Sequence, residues 1–307
     1  MDYILRTLGV SKKYHSNWVL KKVNMNIQRG DIYGFVGENG SGKTTIIRLI
    51  TGLISANEGE IELFGVSSKS PEIASARRKI GAIVESPSIY RNMSARENLE
   101  MQSTIIGIKD EEKIKQVLSD VGLSYIYDDK KSAGNFSLGM RQRLGIAMAL
   151  LGDPEFIILD EPMNGLDPAG IVEIRELILK LNRERNITFL ISSHILTELA
   201  LVATKYGIIS RGTLIREITA EELENECRPT TIVSTSNPQA LWDLLSAEYP
   251  REDISQVSGG VRIVGAIDLN ALFSKILAAE IEILAVNCHK SSIESYYLSL
   301  LGGVHNA

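Results

Sequence analysis

The chain has 307 residues, two cysteines and a formal net charge of −5, with acidic and basic side chains interspersed. That length allows one large domain, or one with a small appendage, and the charge pattern excludes the basic stripe of a nucleic-acid footprint. Cys227 and Cys288 lie far apart and read as reduced, buried thiols rather than a disulfide or metal site, no apolar run is long enough to cross a bilayer, and the polar start carries no signal-peptide pattern.

Residues 3–8 and 23–27 alternate apolar and polar side chains and predict strands of a small antiparallel layer, continued by 60–65. Between them, Asp31-Ile32-Tyr33-Gly34-Phe35-Val36 reads as a buried strand. It leads into Gly37-Glu38-Asn39-Gly40-Ser41-Gly42-Lys43-Thr44-Thr45, which fits the phosphate-binding loop pattern. Residues 45–50 behind it have the apolar spacing of a helix. The glycines let the backbone curl so that its N–H groups converge on a phosphate, and the helix N-terminus adds partial positive charge. Lys43 is expected to reach the β- and γ-phosphates, and the Thr44 hydroxyl to ligate Mg²⁺.

Residues 80–84 predict another buried strand, followed by Glu85-Ser86-Pro87. Ser94-Ala95-Arg96-Glu97 is a capping box that opens a helix to about Ile106, and a second helix runs from about Glu111 to Val121. Ser137 is a good N-cap for a third, which makes about 86–153 a mostly helical insertion. Phe156-Ile157-Ile158-Leu159-Asp160-Glu161-Pro162 is an apolar run ending in two acids. It predicts a central parallel strand buried on both faces, with carboxylates emerging at the edge where open α/β sheets bind ligands. Asp160 is placed to hold Mg²⁺, and Glu161 to accept a proton from an attacking water. A long amphipathic helix is expected from Pro168 to about Arg185, then a buried strand over 186–192 that ends at Ser192-Ser193-His194. Residues 206–210 and 213–216 flank Arg211-Gly212, a hairpin signal.

A second unit begins near Thr219, where Thr219-Ala220-Glu221-Glu222 caps a short linking helix. Strand 231–235, helix 238–248, two short strands around Gly259-Gly260, helix 268–279, strand 281–287 and helix 291–301 follow. This β-α-β-β-α-β order predicts a small ferredoxin-like α+β domain over 219–307. It carries no acid–histidine cluster and no phosphate loop, so a structural role is expected for it.

Phe136-Ser137-Leu138-Gly139-Met140-Arg141-Gln142-Arg143-Leu144-Gly145-Ile146-Ala147 resembles the signature motif of ATP-binding cassette (ABC) ATPases. The order of motifs is also similar to that family: phosphate loop, signature, acidic strand, Leu166-Asp167, then His194. Tyr14, shortly before Val19-Leu20-Lys21-Lys22-Val23, matches the aromatic that stacks on adenine there; an ordinary half-buried strand-end aromatic is the alternative. The resemblance covers about residues 1–218. It implies an α/β phosphate-loop NTPase cassette with a mixed, mostly parallel core sheet, an antiparallel β layer and a helical subdomain over about 86–153. It implies ATP and Mg²⁺ as ligands, with Thr44, Glu85 and Asp160 near the metal and Asp167 near the nucleotide. It also implies two copies packed head to tail, so that Ser137 and Gly139 of one face the ATP on the loop of the other, while His194 holds the γ-phosphate.

Two departures from the family pattern stand out. The usual signature is close to Leu-Ser-Gly-Gly-Gln, so Leu138 and Met140 lack glycine's freedom and glutamine's hydrogen bonds. Glu85 stands where glutamine is usual; a solvated loop acid is the alternative to a metal-binding role. Both departures resemble the bacitracin-efflux and lantibiotic-immunity branch of bacterial ABC ATPases. That resemblance implies a motor on the cytoplasmic face of the cell membrane, driving a separate transmembrane permease. The competing class is a soluble ABC ATPase acting on ribosomes or DNA; the missing second cassette and basic surface argue against it.

Overall fold

The computed structural model describes residues 2–108, 110–289 and 292–305, with side chains to residue 300. Packing divides the chain into two compact units, residues 1–220 and 221–307.

The first unit opens with β1 (Tyr3–Tyr14), β2 (Asn17–Val23) and β3 (Asn26–Gln28). Alternation predicts that β1 stops near residue 8, because Gly9 interrupts it. The strand instead runs on for twelve residues. Gly9 adopts φ 60 and gives its N–H to the Asn24 side chain at 2.7 Å. The pairing is irregular on both sides of this point, as a glycine bulge requires. The expected strand over 23–27 splits between β2 and β3, because the Met25 N–H bonds to the Thr7 hydroxyl at 2.8 Å.

Next come β4 (Ile32–Val36), α1 (Lys43–Ile50), β5 (Glu58–Leu63), β6 (Val66–Ser67), α2 (Ile73–Arg77) and β7 (Ile80–Ile83). Helices α3 (Ala95–Ile106), α4 (Glu111–Asp120) and α5 (Leu138–Leu150) follow. Ser94 and Glu97 form the expected capping box of α3. The core then resumes with β8 (Phe156–Asp160), α6 (Pro168–Arg185), β9 (Thr188–Ser193), α7 (Leu196–Leu199), β10 (Lys205–Ser210) and β11 (Thr213–Thr219). Pro168 opens α6, and Asn186 closes it in a left-handed conformation.

Strands β2-β1-β5-β6, with β3 on β1, make the antiparallel layer. The second sheet has the order β11-β10-β4-β9-β8-β7 and is parallel apart from the β10–β11 hairpin. Every residue of β4, β8 and β9 is buried, as expected of strands covered on both faces. One apolar cluster joins Ile4, Val10, Leu20 and Met25 of the layer to Tyr33, Phe35, Phe156 and Ile158 of the core sheet. Ile46, Ile47 and Ile50 of α1 belong to the same cluster. The helix behind the phosphate loop is therefore fixed by packing on both sheets. The order of strands matters for the site: β9 lies between the loop strand β4 and the acid strand β8.

The second unit holds α8 (Ala220–Glu226), β12 (Thr230–Thr235), α9 (Pro238–Ser246), β13 (Ile254–Val257), β14 (Gly260–Val264), α10 (Leu269–Ala278), β15 (Ile283–His289) and α11 (Ile293–His305). Its sheet has the order β13-β14-β12-β15, all antiparallel. Val233, Val261 and Ile263 of the sheet pack with Leu241 and Leu245 of α9 and Leu272 and Ile276 of α10. The two cysteines are free thiols but not buried as expected: Cys227 is half-buried and Cys288, on the edge strand β15, is exposed.

Candidate functional site: a phosphate cradle beside two acids and a histidine

Gly37 to Lys43 connect the end of β4 to the start of α1. Only glycine fits at two positions of this turn. A Cβ on Gly37 would lie 2.5 Å from the Ile209 carbonyl oxygen and 2.6 Å from Ser41 Oγ. Gly42 has φ 111, and a Cβ there would lie 2.6 Å from Leu20. Strand β2 therefore backs directly onto the loop. Ser41 Oγ is buried with no hydrogen-bond partner, which leaves its hydroxyl able to donate to a phosphate oxygen in the cradle.

Lys43 is 6% exposed. Its Nζ donates to the Gly37 carbonyl at 2.6 Å and to that of Glu38 at 3.3 Å, and pairs with Glu161 Oε1 at 3.3 Å. The other Glu161 oxygen meets His194 Nδ1 at 2.7 Å. Glu161 is a non-glycine residue at φ 50, a conformation that ordinarily costs about 1–2 kcal/mol. The left-handed turn follows directly on the last residue of β8, and the carboxylate engages both Lys43 and His194. Such strain at a cleft is a pointer to function.

Asp160 is 2% exposed. Its Oδ2 accepts from Thr44 Oγ1 at 2.8 Å, and its Oδ1 accepts from Ser192 Oγ at 2.5 Å. Thr44 and Asp160 are thus brought together as expected. They offer hard oxygen donors, the kind Mg²⁺ takes when it also binds substrate phosphates. The empty hydrogen-bonding capacity of Ser41 and the buried Lys43 fit a nucleotide triphosphate in the cradle. Ser192 was not singled out by sequence pattern. Its role depends on strand register, which no local motif reports.

The remaining expected residues are placed as follows. Asn39 and Gly40 form the exposed crest of the loop, and Gly40 has φ 80. Thr45 lies in the first turn of α1. Tyr14 is 41% exposed at the end of β1, with Lys12 Nζ 5.3 Å from its ring centre. Its hairpin partner strand β2 leads to Val19 and Leu20 against Gly42. Ser137 caps α5 by accepting from the Met140 N–H at 3.1 Å, and Asp167 caps α6 by accepting from Gly170 at 3.0 Å. A Cβ on Gly139 would meet only Leu166, at 3.9 Å, so the signature turn and the Leu166-Asp167 turn are neighbours. Glu85, at φ 66, forms an ion pair with Arg48 of α1 and is 62% exposed at its side chain. Glu198, one turn beyond His194, lines the same small hollow as Glu161 and His194. Burial raises its carboxyl above the usual range.

A glycine-built phosphate cradle, a paired threonine and aspartate, and a lysine–glutamate–histidine chain at the edge of a parallel sheet define a phosphate-loop nucleoside triphosphatase. The ABC transporter family model matches residues 20–164. The bacitracin transport ATP-binding protein BcrA of Bacillus licheniformis is 42% identical over 99% of each chain. The lantibiotic transport ATP-binding protein SrtF of Streptococcus pyogenes is 42% identical over 72% of this chain and 93% of its own. Among solved structures, a dimeric, post-hydrolysis ATP-binding cassette bound to ADP and Pi superimposes with TM-score 0.63 and 26% identity. The match covers 70% of this chain and 98% of that one. The chain belongs to the ABC transporter ATP-binding family.

Proposed function

We propose that this chain is the ATP-hydrolysing subunit of a bacterial exporter, driving a separate membrane permease to remove a peptide antibiotic of the bacitracin or lantibiotic type. The observation that carries the chemistry is the Lys43–Glu161–His194 chain beside Thr44–Asp160. The substrate class rests on the full-length similarity to bacitracin transport proteins. No helix among the described residues is long and apolar enough to cross a membrane, which suits a motor bound at the cytoplasmic face. The cassette is proposed to span 1–218, with its helical subdomain over about 86–153 and an accessory domain over 219–307.

Lys43 Nζ lies 3.3 Å from Glu161 Oε1 and offsets its charge. A γ-phosphate draws Lys43 away, and Glu161 Oε1 is freed to accept a proton from water. Nδ1 of His194 stays on Glu161 Oε2, so the opposite ring nitrogen is left to meet the phosphate, and it donates there when the ring carries both protons. Thr44 and Asp160 would hold Mg²⁺, which supplies charge neutralisation at the β- and γ-phosphate oxygens. Tyr14 stacks on adenine. Backing strand β2 spans the space between base and phosphates: Asn17 to Leu20 cover about 10 Å.

The α5 N-terminus at Ser137 is directed to the nucleotide of a second copy, packed head to tail. There its N–H groups and dipole stabilise the γ-phosphate. A groove of about 810 Å³ lies between the β7 edge and the helical insertion, lined by Ser86, Pro87, Ile105 and Met148 among others. It suits an amphipathic segment of the permease. Purification from detergent-solubilised membranes tests the reading. A permease should co-purify, and its peptide cargo should stimulate phosphate release. Co-purification with ribosomes instead would overturn it.

A further inference from the structure

Ser192 precedes His194 by two residues and was assigned no role of its own, yet it touches both acids of the site at once. It is fully buried on β9, in register with Asp160 of β8 on one side and Phe35 of β4 on the other. Its hydroxyl donates to Asp160 Oδ1 at 2.5 Å and accepts from the Glu161 backbone N–H at 2.9 Å. The same N–H lies 3.2 Å from the Ser192 carbonyl. One hydroxyl therefore ties together two consecutive residues with different tasks. It fixes the rotation of the Asp160 carboxylate, leaving Oδ2 toward Thr44. It also anchors the left-handed turn at Glu161.

We infer that Ser192 is a positioning residue that couples metal binding at Thr44–Asp160 to the setting of Glu161. The inference rests on the proposed assignment of Thr44 and Asp160 to the metal. A carboxylate that loses its orienting donor binds a metal more weakly, and outer-shell losses of this kind cost about 10–100-fold in affinity. The Glu161 N–H keeps the Ser192 carbonyl when the hydroxyl is removed, so the fold is spared while the turn is loosened.

The test is Ser192→Ala in the full-length chain. Mn²⁺ binding in the presence of ADP is followed by electron paramagnetic resonance. ADP affinity in EDTA and steady-state phosphate release at saturating Mg²⁺ are measured alongside. The expected result is Mn²⁺ affinity lowered at least tenfold, ADP affinity in EDTA within twofold of the parent, and kcat still reduced when metal saturates. Ser192→Thr, which keeps the hydroxyl, should restore metal affinity. If Ser192→Ala does not fold, Ser192→Cys supplies a near-isosteric weak donor and should weaken Mn²⁺ in the same direction. Unchanged Mn²⁺ affinity in a folded Ala or Cys variant would overturn the link to the metal. Full kcat at saturating metal would overturn the link to Glu161. Failure of the parent chain itself to bind Mn²⁺ with ADP would instead overturn the metal assignment of Thr44 and Asp160.

Discussion

Glu161→Gln separates ATP binding from hydrolysis, and the structure gives the size of each effect. The amide has nearly the same shape as the carboxylate but cannot take a proton. A positioned general base contributes about 10²–10⁴-fold to rate, so steady phosphate release should fall by that amount. Binding should move the other way. Glu161 pairs with Lys43 at 3.3 Å, and on the proposed reading a phosphate competes with it for the ammonium. A hydrogen bond to a charged group contributes roughly 1.5–3 kcal/mol. Part of the pair faces solvent, with the glutamate side chain 21% exposed, so about half of that is a reasonable share. ATP affinity should then rise by up to about tenfold, since 1.4 kcal/mol is a factor of ten.

The assays are phosphate release under multiple turnover and titration with a fluorescent ATP analogue. Size-exclusion chromatography with ATP adds a third reading: the variant should accumulate as an ATP-bound dimer. Turnover within about threefold of the parent chain would remove Glu161 from the base role. A loss of ATP affinity would show that Glu161 helps to hold nucleotide rather than competing for Lys43.

Lys43→Ala should abolish measurable ATP binding by calorimetry, because the buried cation is lost and the Gly37 and Glu38 carbonyls turn from partners into repulsive neighbours of the phosphates. Unaltered affinity would contradict the cradle. Tyr14→Ala should weaken ATP by about 1–3 kcal/mol, by analogy with aromatic stacking on bases, and Tyr14→Trp should restore it. With Tyr14 41% exposed, the thermal midpoint should barely move; a stability loss with unchanged affinity would mark it as a packing residue. Glu85→Lys should leave ATP binding intact but uncouple hydrolysis from resistance to the exported peptide. Normal resistance in cells carrying that variant would reduce Glu85 to a surface acid.

The local parts of this site were legible because their chemistry demands contiguous spacing. A phosphate loop needs its glycines and lysine within one turn, and a buried parallel strand that ends in two acids announces itself by its apolar run. The start of α6 at Pro168 was equally plain, since proline suits a first turn, whereas the cap that Asp167 supplies was not read. What stayed hidden depends on register and on non-local partners. Ser192 matters because β9 lies between β4 and β8 and aligns it with Asp160, a relation between strands. The ion pair from Lys43 to Glu161 joins residues far apart in sequence. The continuation of β1 past Gly9 rests on the Asn24 side chain, which a reading of alternation alone passes over.

The Arg48–Glu85 pair shows how a weak interaction can sit at a point of leverage. Helix α1 is eight residues long, about 12 Å, too short to bend appreciably. One end carries Lys43 and Thr44 of the proposed phosphate cradle. The following turn presents Arg48 to Glu85, and the next residues, Ser86 and Pro87, line the groove proposed for the permease. Both partners of the pair are largely solvated, so its contribution to stability is about 0–1 kcal/mol. That small value is what a cycling contact needs. A strong, buried pair would lock the groove in one state, whereas a weak one can break and re-form with each nucleotide. Glutamate in place of the family's usual glutamine makes the contact ionic, and hence sensitive to the charge that ATP brings to the other end of the same helix. On the proposed reading, Arg48 and Glu85 are the side chains placed to carry a change at the cradle to the groove, and Glu85→Lys is the substitution that tests it.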